Sequence, residues 1–122
     1  MVCQMIGSVA FAINAEAIAL CDDLGVDAGR VASSFDGGGR LQRMVSLREN
    51  GDYGSEGYMA QRGKDLDCVV EAANSWDSFI PVTQAMHQLF NMARADGLGD
   101  ADPAALFAVW DAVREQSKGA LA

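Results

Sequence analysis

A single histidine, His87, and three cysteines in 122 residues leave little material for metal or redox chemistry. Cys3, Cys21 and Cys68 are odd in number and widely spaced, with none of the short spacings that metal or dithiol sites use. Their apolar neighbours predict small buried residues of a reducing cytoplasm. One histidine argues against a metal site and against a Ser-His-Asp triad. Cations are scarce too: 9 Lys and Arg against 17 Asp and Glu give a net charge of −8, which argues against a nucleic-acid or anionic-membrane partner. No stretch alternates apolar and polar residues for long enough to form a sheet. No strand leads into a G-x-G-x-x-G, so the dinucleotide-binding fingerprint is absent from the chain. No basic segment precedes the first apolar stretch, which speaks against a signal peptide.

What is present is enough for a core. Residues are 50% hydrophobic and 21% charged, the composition of one globular domain over residues 1–122. The charge is uneven. Between residues 40 and 64, Arg40, Arg43, Arg48, Arg62 and Lys64 outnumber Glu49, Asp52 and Glu56. This segment therefore offers an anion its best surface, unless the excess is ordinary surface fluctuation.

The periodicities predict an all-α fold of about six helices. Residues 1 to 21 hold few polar groups, and Val2, Ile6, Val9, Ile13 and Leu20 recur at helical spacing. Such a segment reads as a long, largely buried first helix, packed against another domain or subunit. Asn14 and Glu16 interrupt it before the ~20 apolar residues that a bilayer span requires. Glu16 calls for a buried hydrogen-bond partner. Gly25 stops this helix, Asp27 caps the next, and Val26 can staple onto Val31. The "DGGGR" stretch at 36–40 reads by itself as a turn. A third helix follows over Leu41 to Glu49 and a fourth from about Gly57 to Asn74. Pro81 opens a fifth with the stripe Val82, Met86, Leu89, Phe90 and Ala93, ended by Gly97. Asp102 and Pro103 open the last, whose stripe is Leu106, Val109, Trp110 and Val113.

One stretch resists a packing explanation. In "QRGKDLDCVVEAA", residues 61–73, Leu66, Val69, Val70 and Ala73 mark an apolar face, yet Lys64 and Asp65 stand at its head. A solvated pair at a helix start is the plain reading, and a functional pair is the other.

Several stretches taken together carry a resemblance. "INAEAIALCDDLGVD" at 13–27, "GGGR" at 37–40, "GKDL" at 63–66, "IPVTQA" at 80–85 and "ADGLGDADPAAL" at 95–106 resemble the C-terminal domain of the β-hydroxyacid dehydrogenases. That group includes 3-hydroxyisobutyrate, tartronate-semialdehyde and 6-phosphogluconate dehydrogenases. The resemblance implies an all-helical substrate-side and dimerisation domain of an NAD- or NADP-dependent oxidoreductase acting on a small hydroxy acid. The expected partners are a second copy of the chain and an N-terminal Rossmann domain, which is absent here, and the expected location is cytoplasmic. It also implies a catalytic lysine opening a K-x-x-x-N pattern, which falls just before Met1, so no catalytic residue is expected in this chain. Gln4 then takes the asparagine position and would bind substrate. Lys64 would bind the cofactor, with Asp65, Gly38 and Gly39 in support. Gly57 stands where an aromatic residue is common, next to Tyr58, and Gln42 stands where some members carry tryptophan. A stand-alone helical oligomerisation or interaction module, derived from the same family, is the alternative.

Overall fold

The computed structural model describes residues 2–34 and 39–121. Six α-helices and one 3-10 turn follow in order: α1 (Val2–Leu24), α2 (Ala28–Ser34), α3 (Gly39–Asn50), α4 (Tyr58–Ser75), α5 (Pro81–Ala95), the 3-10 turn (Pro103–Ala105) and α6 (Ala108–Leu121). No strand occurs among the described residues. α1 touches every other element, and α4 and α5 form the most extensive helix pair.

The polar signals set the ends as expected. Gly25, at φ +71°, closes α1: its N–H donates to the Asp22 carbonyl and that of Val26 to the Cys21 carbonyl, the paired bonds that satisfy a helix terminus. Asp27 accepts the Gly29 N–H at 2.9 Å and so caps α2. Pro81 sits at the start of α5. Gly97, at φ +81°, ends that helix, with the Leu98 N–H on the Ala93 carbonyl. Asp102 caps a 3-10 turn instead of an α-helix, accepting the Ala104 N–H at 2.8 Å, and α6 begins only at Ala108. α3 starts at Gly39, two residues before the expected Leu41.

α4 has no side-chain cap. Its first N–H groups are taken by a loop: Gly57, Met59 and Ala60 donate to the carbonyls of Asp100, Ala101 and Gly99, each at 2.9 Å. This zips the α3–α4 connection to the segment after α5, and Asp102 N–H completes it on the Tyr53 carbonyl at 2.7 Å.

The sequence is a partial guide to faces: the stripes of α4 and α5 are mostly buried as expected, and that of α1 is not. In α1 the buried positions are Ser8, Phe11, Ala12, Ala15, Ile18 and Ala19, a stripe whose alanines let neighbouring helices approach. The expected apolar row lies outside it: Val2, Ile6, Ile13 and Leu20 are all more than half exposed, Ile6 at 66%. In a helix apolar on nearly all sides, residue type cannot choose the core face. By length and composition α1 could cross a bilayer, yet one side of it is core. Glu16 is exposed and has no need of a buried partner. Cys3 and Cys68 are exposed and Cys21 half-buried, so the cysteines are not core residues. Val82 and Val113 face outward, Thr83 and Phe107 are buried in their place, and Val26 and Val31 remain exposed.

Ion pairs fasten the helices. Arg48 reaches Asp22 at 2.6 Å and Arg114 reaches Asp23 at 2.8 Å, tying α3 and α6 to the C-terminal end of α1. The Arg48 guanidinium, more than that of Arg114, holds the Asp22 carboxyl below its ordinary pKa. Between α4 and α5, Arg94 forks onto Asp67 at 2.9 and 3.0 Å, and His87 Nε2 lies 2.6 Å from the same carboxylate. Gly63 makes room for this clamp, because a Cβ there would come within 2.8 Å of the Arg94 guanidinium.

Candidate functional site

The N-terminal end of α1 is where polar residues from separate helices meet. Gln4, in the first turns of α1, is half-buried, and its Oε1 accepts a hydrogen bond from Arg62 Nη1 of α4. That contact orients the amide: the oxygen is engaged, and the NH2 group is left to donate elsewhere. Arg40, from the first turn of α3, donates from Nη1 to the Gly7 carbonyl at 3.0 Å. Both guanidinium groups lie over the Phe11 ring, with Cζ 4.8 Å from its centre for Arg40 and 5.6 Å for Arg62. Those distances are within the range where a cation is attracted to an aromatic face.

Gly7 lies against this cluster, and a Cβ there would meet Arg62 Nη1 at 3.3 Å. One turn beyond Gln4, the Ser8 hydroxyl is wholly buried and has no hydrogen-bond partner among the described residues. Leu41 and Leu66, both buried, anchor α3 and α4 next to the two arginines. The site is thus two cations and one amide on a rigid apolar seat.

Lys64 does not join this cluster. It is exposed on the flank of α4 shared with Gln61, Cys68 and Glu71, whereas Arg62, two residues earlier, turns toward α1. On a helix that offset is about 200°. Among the described residues Lys64 makes no ion pair. Asp65, at the head of the apolar face, is half-buried and accepts one hydrogen bond, from Gln61 Nε2 at 3.3 Å. The buried row of α4 is Met59, Gly63, Leu66, Val69 and Ala73. Gly39 is exposed, with open space where a side chain would be. Gly38 lies outside the described residues. Arg40 and Arg62 were not singled out as site residues from the sequence, and the positive segment 40–64 is the signal that contained them.

The fold has a known counterpart. The solved 3-hydroxyisobutyrate dehydrogenase of Salmonella typhimurium matches 88% of this chain with a TM-score of 0.77 at 22% identity, and the chain spans 39% of that enzyme's length. The architecture is therefore that of the helical C-terminal domain of a hydroxyisobutyrate dehydrogenase. A family profile described as "NAD-binding of NADP-dependent 3-hydroxyisobutyrate dehydrogenase" matches residues 1–110, and the chain belongs to that family. No curated protein sequence matches it.

Proposed function

We propose that this chain is the substrate-side and dimerisation domain of an NAD(P)-dependent β-hydroxyacid dehydrogenase, acting together with a Rossmann domain. The observation that carries the reading is the oriented Gln4 amide at the end of α1, one turn from where the family pattern sets its lysine. Its free NH2 is suited to donate to an oxygen of a small hydroxy acid, holding the substrate as the lysine takes the hydroxyl proton. A bound nicotinamide would supply the hydride acceptor. Lys64 fits the cofactor side. It is a solvent-facing cation with no carboxylate partner among the described residues, suited to an anionic group presented by the opposite domain, and Asp65 and Gly39 are the supporting residues that the family resemblance implies. Catalysis requires both halves, so the chain alone is inactive.

The exposed row Val2, Ile6, Ile13 and Leu20 supports the assembly part of this reading. Ile13 lines a shallow groove with Val82, Ala85 and Leu89, so the exposed apolar side of α1 extends onto the start of α5, a surface of a kind that partners cover. A second copy of the chain and the Rossmann domain are the proposed occupants. The test is a protein joining this chain to the Rossmann domain of a solved relative. There, Gln4→Ala and Lys64→Ala should each lower kcat/KM at least ~tenfold, equal to ~1.4 kcal/mol of transition-state stabilisation, with little change in unfolding midpoint. Unchanged kcat/KM in both variants would remove these two residues from the site.

A further inference from the structure

Charge partners separate six of the seven arginines into two groups; Arg30, exposed on α2, pairs with no acid among the described residues and stands apart from both. Arg43 takes Asp102, Arg48 takes Asp22, Arg94 takes Asp67 and Arg114 takes Asp23. Arg40 and Arg62 take only a carbonyl, an amide oxygen and the Phe11 ring, and have no carboxylate partner among the described residues. The chain has nearly two acids for each base, so two guanidinium groups brought together on one ring, with no acid beside them among the described residues, stand out against the composition. Their repulsion is unfavourable until an anion arrives. Each guanidinium carries five N–H donors and uses one here on the protein, leaving a fork for a ligand.

We propose that Arg40 and Arg62 recognise a second anionic group on the substrate, so that the hydroxy acid this site selects is a dianion. This deepens the dehydrogenase reading and rests on it. A lone carboxylate held by the Gln4 NH2 would neutralise one of the two guanidinium charges. A second carboxylate, or a phosphoryl group, on the same small molecule matches both. The Phe11 ring contributes a rigid support that keeps the two forks in place before binding. The signature chemistry is therefore an acid with two negative groups a few bonds apart, and Arg40 and Arg62 are its specificity-determining residues.

Titration of the 122-residue chain with malonate, inorganic phosphate and acetate, followed by NMR, tests this without reading turnover. Failure of the dianion preference would count against the arginine pair, and failure of turnover in a joined protein would count against the domain role. Malonate or phosphate should bind at least ~tenfold more tightly than acetate, a difference of ~1.4 kcal/mol, and should shift the signals of Gln4, Phe11, Arg40 and Arg62. Preference for malonate points to a second carboxylate and preference for phosphate to a phosphoryl group. Arg40→Gln and Arg62→Gln should each abolish the preference, while Arg30→Gln, an equal loss of charge on the exposed side of α2, should retain it. Equal affinity for acetate, shifts centred elsewhere, or an intact preference in a folded Arg40 or Arg62 variant would overturn the proposal. If one variant fails to fold, the other and the wild-type comparison decide.

Discussion

Ser8 and Gln4 lie one turn apart on α1 and have opposite fates. Gln4 has its oxygen held by Arg62, whereas the Ser8 hydroxyl is buried without a partner among the described residues. An unpaired buried hydroxyl costs about 1–3 kcal/mol, and alanine is also the better helix former. Ser8→Ala should therefore stabilise the chain by about 1 kcal/mol, seen as a higher denaturant midpoint with an unchanged slope. A loss of stability would mean that the hydroxyl has a partner in solution. Residue identity was a partial guide at this scale. Gln4 was singled out through its place in the K-x-x-x-N pattern that the family resemblance implies. Arg62 was not, because "KDL" draws attention to Lys64 and only the packed helix reveals that residue 62 turns toward α1. The cysteines were misread for a related reason: apolar neighbours in sequence do not establish a buried face when both sides of a helix are apolar.

At the scale of elements, the ends were readable and the faces only in part: Leu66, Val69 and Ala73 of α4 and Met86, Phe90 and Ala93 of α5 are buried as expected, whereas Val82, Val113 and the α1 row are exposed. Gly25, Asp27, Pro81, Gly97 and Asp102 act through local backbone chemistry, so each marks its boundary whatever surrounds it. The start of α4 carries no such mark, since its cap comes from carbonyls some forty residues away in sequence. The α4–α5 pairing also depends on a distant contact, the Asp67 clamp. Arg94 chiefly, with His87 adding to it, lowers the Asp67 carboxyl from its ordinary 3.8 to about 2. A carboxylate depressed by folding contributes stability above its unfolded pKa and loses it as pH falls through the folded value. The contribution should thus be complete above about pH 5 and fade from about pH 4 toward pH 2. Denaturant unfolding of wild type and Asp67→Asn across this range should show a gap that narrows steadily with acid. The exposure of Asp67 keeps the gap modest, and a gap constant down to pH 2 would exclude the clamp as its source.

For the whole molecule, the outward row on α1 is the feature that an isolated domain does not explain. Val2, Ile6, Ile13 and Leu20 repeat at helical spacing on the side away from the core. The expectation that the first helix packs against another domain or subunit gives that row a role, since the row lies outside this domain's own core. Sedimentation should find the chain as a dimer or larger assembly at micromolar concentration, and Ile13→Asp should shift it toward monomer without unfolding it, since Ile13 contributes little to the core. A monomeric wild-type chain would contradict the dimerisation role. The all-α class was legible because no segment alternates. The companion domain is suggested only by family membership and by the 39% of the Salmonella enzyme that this chain spans.

The central claim is that this domain completes an active site whose dinucleotide is held elsewhere. The most direct measurement follows nicotinamide absorbance with a panel of small hydroxy acids, comparing the purified chain with the same chain joined to a family Rossmann domain ending in the catalytic lysine. The account predicts no turnover by the chain alone and hydride transfer by the joined protein. Turnover by the chain alone, or a folded joined protein that binds NAD(P)H and transfers no hydride to any member of the panel, would contradict it.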